Sequence, residues 1–422
     1  MADDSLIPDE LLRQIIGVGQ VDLLVGLPTF EHGESAVELL RAVRAAFRSH
    51  FPRQRTALLN VDHGSSDGTV EALYHRWQDE MRASGGNQGL RTTHFMTASA
   101  TAWAEEGAAT RCILAAGDLL QASAVIVLDA DVAGLTPAWV ARLGTPLGDG
   151  RTDLVAPVYQ RSPVEGLLVT QLVRPLMRVA YGRHLHEPLL AEFGCSGRLA
   201  AHCTQAAWTA TPVQRATSVW VAGEALAGPF SVCQVPMGAR RVVGGRPRVA
   251  LPDLFRQVVG STFATLEAHG QAWTRGATGD DPPLVGEAPA DAEPGTAPPA
   301  DVERLLGSFA DDVATLDEVL RRLLGAETLA ALVQASRQAR PGLADGLWAA
   351  IVAEFLVAHH HGVMRRDHVV QALLPLYTAR TGTFLLEHGG DGPAALDAAL
   401  TALGEAFAHR RAEIVERWLQ PA

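Results

Sequence analysis

Asp129 and Asp131 stand one residue apart at the end of an apolar run, Val125 to Leu128. Residues two apart in an extended chain point to the same side, so these two carboxylates can face one ligand together. A hard divalent cation bridging the phosphates of a nucleotide suits such a pair. The structural alternative is a strand-end pair that caps the next helix. Upstream, Asp62 opens a polar turn that runs through Gly64, Ser65, Asp67 and Gly68 to Thr69. Downstream, Arg161, Arg174, Arg178 and Arg183 gather in one segment. A guanidinium fork suits a carboxylate or a phosphate, and the bland reading is the solvated face of a surface helix. His359, His360, His361 and His368 invite a metal reading. Consecutive helical residues diverge by about 100°, so three adjacent histidines cannot ligate one ion. His361 and His368 share a face and read as a structural or interface pair.

These groups need elements to place them. Residues 21 to 28 read as a first strand stopped by Pro28, and Ser35 to Ser49 carries helical apolar spacing at Val37, Leu40, Val43 and Phe47. A second strand covers 57 to 61, and the turn after Asp62 caps a helix from Thr69 to about Met81. A third strand lies near Thr93 to Thr97, then a helix from Glu105 to Leu120, then the strand that ends in Asp129. Strands alternating with helices at this spacing imply a doubly wound, mostly parallel α/β sheet. Residues 274 to 300 are rich in Gly, Pro, Ala and acids and read as a flexible linker. Beyond it, helical patterns run from Val302 to Leu323, Leu347 to His361, His368 to Tyr377 and Pro393 to Leu419. The expected organisation is a tail over 1–20, an α/β domain over 21–273, the linker, and a helical appendage over 301–422.

Composition narrows the function. The 422 residues are 47% apolar, enough for sizeable cores, and no run of apolar residues is long enough to span a membrane. The acidic start, Met1 to Glu10, is unlike a signal peptide, so a cytoplasmic protein is expected. A formal charge of −12 argues against nucleic-acid binding, and any phosphate must be met locally. The chain contains no lysine, so Arg and His carry its basic chemistry. Its four cysteines show no C-x-x-C spacing and read as reduced thiols. Dinucleotide-binding, Walker, triad and zinc-protease motifs are absent.

The strand ends taken together resemble the nucleotide-sugar domain of inverting glycosyltransferases with the GT-A fold. The matching residues are Pro28, Thr29 and Phe30, then Asp62 to Thr69, then Asp129 and Asp131. The resemblance implies that Pro28, Thr29, Glu31 and Asp62 line a uracil or guanine pocket, that Asp129 reaches the ribose, and that Asp131, with Asp129, holds Mg2+ or Mn2+. The donor would be a nucleotide-diphosphate sugar such as UDP-glucose or GDP-mannose. Asp153 to Arg161, Glu165 to Thr170, Arg174 to Leu176, Tyr181 and Gly182, Glu192 to Arg198 and Leu254 to Gly260 are similar to the glucosyl- and mannosyl-glycerate or phosphoglycerate synthases. That similarity implies a small anionic acceptor, glycerate or 3-phosphoglycerate, held by Arg161, Thr170 and Arg174. Glu192 would orient sugar hydroxyls.

Three positions depart from the family pattern. Glu106 stands where relatives carry Lys, and Ser218 where they carry an acid. Arg240 and Arg241 stand where a His completes the metal site. Inverting transfer needs a base on the acceptor hydroxyl, and Ser218 is a poor one; Glu224 and Glu192 are the other candidates. A guanidinium at 240 or 241 could replace the metal by neutralising the leaving diphosphate. The expectation is an inverting hexosyltransferase. The alternative is a catalytically impaired relative that binds a nucleotide sugar or a protein partner. The apolar C-terminal helices suggest a homodimer.

Overall fold

The computed structural model describes residues 7–83, 92–99, 107–206, 217–242, 249–276, 279–289, 301–338 and 340–420. In chain order the first elements are α1 (Asp9–Val18), β1 (Leu23–Thr29), α2 (Gly33–His50), β2 (Arg55–Asp62), α3 (Thr69–Ala83), β3 (Thr92–Ser99), α4 (Gly107–Leu119) and β4 (Ala124–Val127). Then come β5 (Val132–Ala133), α5 (Pro137–Gly144), β6 (Leu154–Gln160), α6 (Arg174–Tyr181), β7 (Phe193–Ser196), α7 (Gly197–Gln205), α8 (Thr217–Ala227), β8 (Val232–Ala239) and β9 (Arg241–Val242). Helices complete the chain: α9 (Leu251–Ala268), α10 (Gly270–Thr274), α11 (Val302–Gly307), α12 (Phe309–Thr315), α13 (Asp317–Leu323), α14 (Ala326–Ser336), α15 (Asp345–His360), α16 (Arg366–His388), α17 (Pro393–Ala408) and α18 (Arg411–Leu419).

The chain divides into two compact units that interleave in sequence. The first takes Met1–Gln160, Leu189–Arg248 and Pro282–Glu293; the second takes Arg161–Pro188, Val249–Asp281 and Pro294–Ala422. The first unit holds a seven-stranded mixed sheet in the order β3-β2-β1-β4-β7-β6-β8. Only β7 runs antiparallel to its neighbours in that sheet. Leu23, Val25 and Leu27 of β1 join a core with Leu40 and Phe47 of α2 and Trp77 of α3. On the other face Gly26 lets α4 approach, because a Cβ there would strike Ile113. Burial on both faces explains why these strands read as unbroken apolar runs.

β1 pairs with β2 on one side and β4 on the other, so the winding reverses between β1 and β4. Open α/β sheets bind ligands at the carboxyl ends of strands around such a point. β8 carries a register shift against β6, and Gly238 there has φ +82°, which favours glycine. One residue after β8, the chain enters β9, which pairs with β5 just past Asp131.

Two stretches differ from the sequence expectation. Part of the expected tail is the helix α1, which buries Leu11 and Ile15. Its Gln14 side chain donates to the Thr97 carbonyl and accepts from the Thr97 N–H, covering the exposed edge of β3. Part of the expected linker is tied to β8, because Gln234 donates to the Pro283 carbonyl and Val285 donates to the Gln234 carbonyl.

The second unit is helical. Arg380 is buried and spends its guanidinium on Gln171, the Leu343 carbonyl and Asp345. The three adjacent histidines diverge as their spacing requires. His359 bonds Glu267 at 2.6 Å, His360 stacks on Trp418 at 3.7 Å, and His361 donates to the Arg417 carbonyl at 2.9 Å. The first expected C-terminal helix is three short ones, α11 to α13, and α16 continues through Pro375 well past Tyr377. No helix among the described residues is long and apolar enough to cross a membrane.

Candidate functional site

The parallel register sets Thr29, the last residue of β1, beside Asp62, the last of β2. Thr29 Oγ1 lies 2.9 Å from both Asn60 Oδ1 and Asp62 Oδ1, and its single proton serves one at a time. Asp62 also accepts from Gly64 N–H at 2.9 Å, Ser65 N–H at 2.8 Å and Ser65 Oγ at 2.6 Å. Four donors around one carboxylate fix the turn that the sequence marked as polar. Pro28 is a half-buried member of β1 at the same edge.

The loop after β1 is stapled to that turn. Glu31 N–H donates to Ser65 Oγ at 2.8 Å, and Glu31 Oε1 accepts from the N–H and hydroxyl of Ser66. Glu31 has φ +57°, a left-handed conformation uncommon outside glycine that recurs at ligand-binding turns. His32 N–H and Gly33 N–H both donate to Thr69 Oγ1, which in turn bonds Asp67. The Thr69 hydroxyl holds the Asp67 carboxyl below its ordinary value.

The third loop enters through Asp131. His32 Nε2 lies 3.0 Å from Asp131 Oδ1, and Asp129 Oδ1 accepts from the Asp131 N–H at 2.9 Å. His32, Asp129 and Asp131 each offer a ligand atom within 4.8 Å of the others, close enough for one divalent cation. The two carboxylates are the hard oxygen ligands that Mg2+ and Mn2+ take. His32 was not singled out in the sequence; a lone loop histidine gives no periodic signal. Its position three residues past the strand-end Thr29 was the available hint; that it faces the Asp pair is seen only in the structure.

Arg240 closes the site from the β8 side. Its Nη2 lies 2.6 Å from Asp129 Oδ2 and 3.0 Å from Glu192 Oε1, and its Nε donates to Glu192 at 3.1 Å. The Tyr159 hydroxyl donates to the other Glu192 oxygen. Glu192 is fully buried. Burial pushes its carboxyl up, and the Arg240 charge opposes that rise. Burial works against the Arg240 charge too, but Glu192 and then Asp129 outweigh it and hold the guanidinium ionised. Arg241 pairs through its backbone with Ala133 in the β5–β9 ribbon and is exposed.

The candidate bases fall in different surroundings. Ser218 sits in the first turn of α8, and Glu224, later on the same helix, bonds His202 of α7 at 2.8 Å. Glu192 faces Arg240 and Tyr159. Glu106 lies outside the described residues.

Arg161, Thr170 and Arg174 all belong to the second unit. Arg161 makes a two-pronged bond to Glu187 at 2.8 and 2.6 Å. Thr170 is buried in a π-helical turn, Val169–Val173, that leads into α6. Arg174 Nε donates to His184 Nε2 at 2.8 Å, and His184 stacks on His186 at 4.4 Å. Burial, with Arg174 next, pushes the His184 ring down to about 3, so it stays neutral and accepts.

No protein-family model matches the chain, and no curated protein matches it in sequence. Solved structures do. Glucosyl-3-phosphoglycerate synthase from Mycobacterium tuberculosis with Mg2+ and UDP is 20% identical, with 62% of this chain and 85% of that one covered and a TM-score of 0.44. The same enzyme with Mn2+, UDP and phosphoglyceric acid is 18% identical, with coverage of 62% and 84% and a TM-score of 0.43. A further structure of it is 18% identical, with coverage of 64% and 86% and a TM-score of 0.42.

Proposed function

We propose that this chain is an inverting hexosyltransferase that takes glucose or mannose from a nucleotide-diphosphate sugar and passes it to a small anionic acceptor such as glycerate or 3-phosphoglycerate. One observation carries the donor half. The loops after β1, β2 and β4 are hydrogen-bonded into a single acidic site where the winding of the sheet reverses. Pro28, Thr29, Glu31 and the turn shaped by Asp62 hold the base, and Asp129 and Asp131 serve the ribose and diphosphate. A divalent cation, held by Asp131 with Asp129, would neutralise charge on the leaving diphosphate.

The protein's own groups do the rest. Arg240 fixes Asp129 and supplies a second positive charge beside the carboxylates. Arg174, braced by neutral His184, is the guanidinium suited to the acceptor's carboxylate or phosphate, with Arg161 and Thr170 beside it in sequence. The base must reach the acceptor hydroxyl. Glu192 is fully enclosed and held by Arg240 and Tyr159, which leaves Ser218 and the His202-bonded Glu224 for that role. The proposal extends to a homodimeric cytoplasmic enzyme, which light scattering and cell fractionation would test.

The deciding experiment incubates the protein with UDP-glucose or GDP-mannose, Mg2+ or Mn2+, and glycerate or 3-phosphoglycerate. Nucleotide diphosphate release that depends on the acceptor is the expected result. Thermal stabilisation by a nucleotide sugar with no release under any combination would instead favour a binding protein. The Arg240–Glu192 lock, which withdraws one candidate base, is the observation behind that second reading.

A further inference from the structure

His32 sits where a third metal ligand could be, yet its hydrogen bonds give it another task. Its Nδ1 lies 2.8 Å from the Phe30 N–H, and a backbone amide can only donate, so Nδ1 carries no proton. The neutral ring's proton is therefore on Nε2, the nitrogen 3.0 Å from Asp131 Oδ1. An Nε2 that bears a proton has no lone pair for a cation. Moving the proton to Nδ1 would set two N–H groups against each other at Phe30.

The loop keeps the amide in place. Glu31 N–H is held by Ser65, His32 N–H by Thr69, and Glu31 between them occupies a left-handed turn. The imidazole itself is only 8% exposed, so solvent does not compete strongly for either nitrogen. Outer-shell partners of this kind orient a ligating carboxylate and raise its hold on a metal.

We propose that His32 is a positioning residue for Asp131, donating from Nε2 to orient the carboxylate, and that a divalent cation at this site is bound by oxygen atoms and not by the His32 nitrogen. This rests on the cation site in the functional reading above but not on turnover.

Mn2+ alone is the probe. Pulsed EPR of the Mn2+-loaded protein is expected to show no directly coordinated 14N, and His32→Ala to weaken Mn2+ binding by roughly 10–100-fold. His32→Gln, whose amide can place a donor near the same point, restores most of that loss. A strong 14N coupling from wild-type protein would overturn the proposal, as would full Mn2+ affinity in His32→Ala or no Mn2+ binding by the wild type. Circular dichroism confirms that each variant is folded. Adding UDP or GDP separates the two claims: Mn2+ binding that behaves as described while no nucleotide binds leaves the His32 assignment standing and removes the transferase reading.

Discussion

At the scale of single residues, two carboxylates of the candidate site sit in opposite surroundings. Asp131 is part-exposed at 27%, while Glu192 is closed off and locked to Arg240. Asp131→Ala is expected to abolish Mn2+ binding and Mn2+-dependent nucleotide binding; calorimetry showing both unchanged would take the cation out of the site. Glu192→Ala leaves a buried guanidinium with Asp129 as its one carboxylate partner among the described residues, and is expected to cost about 3 kcal/mol in urea unfolding. A change below about 0.5 kcal/mol would mean that the ion pair is not formed in solution. Asp129 and Asp131 lie past β4 in a turn where Asp129 accepts from the Asp131 N–H, and this turn, not strand alternation, sets them together. The pair was visible in the sequence by residue type at a strand end. The Arg240–Glu192–Tyr159 group was not. Its members lie in β6, just before β7 and just after β8, far apart in sequence, and the pairing of β6 with β7 and β8 brings them together.

At the scale of elements, Asp153 ties three strands at one point. It leads into β6 and receives Ser196 at the end of β7, Arg198 from α7, and both the N–H and hydroxyl of Ser231 ahead of β8. Burial alone would raise its carboxyl, but these donors outweigh it and hold the value below the ordinary range. The unfolded chain therefore binds the proton more readily than the folded one. The stabilisation is complete above the ordinary carboxylate value and is lost as pH falls through the folded one. Asp153→Asn is expected to lose about 1.5–3 kcal/mol at neutral pH and to flatten the fall in urea midpoint between neutral and acid pH. An unchanged acid profile would remove Asp153 from that role. The strands β1, β2 and β4 were legible as apolar runs, since parallel strands bury both faces, whereas β6, β7 and β8 around Asp153 were not read as strands from the sequence. The helix α1 was not, because it covers an edge with a single Gln14 side chain and leaves Ile16 exposed. The breaks between α11, α12 and α13 escaped as well, because the apolar spacing continues across both of them.

At the scale of the whole molecule, the net charge and the proposed ligand are in conflict. The chain carries −12, and a nucleotide-diphosphate sugar is itself an anion. A protein that steers anions with a basic field loses association rate as salt is added. Here the net charge repels an approaching anion, and at the proposed site Arg240 is itself paired with Asp129 and Glu192. Screening acts on charges more than a Debye length apart, which is about 30 Å at 0.01 M and about 8 Å at 0.15 M, and acts much less on buried pairs. Raising the salt across that range at constant Mg2+ should remove the repulsion while leaving the contacts intact. The association rate constant for UDP, measured by stopped flow, is then expected to rise with salt while dissociation changes little. A steep fall would mean that a local basic funnel dominates the approach, and the placement of the site among Asp62, Asp129 and Asp131 would have to be abandoned.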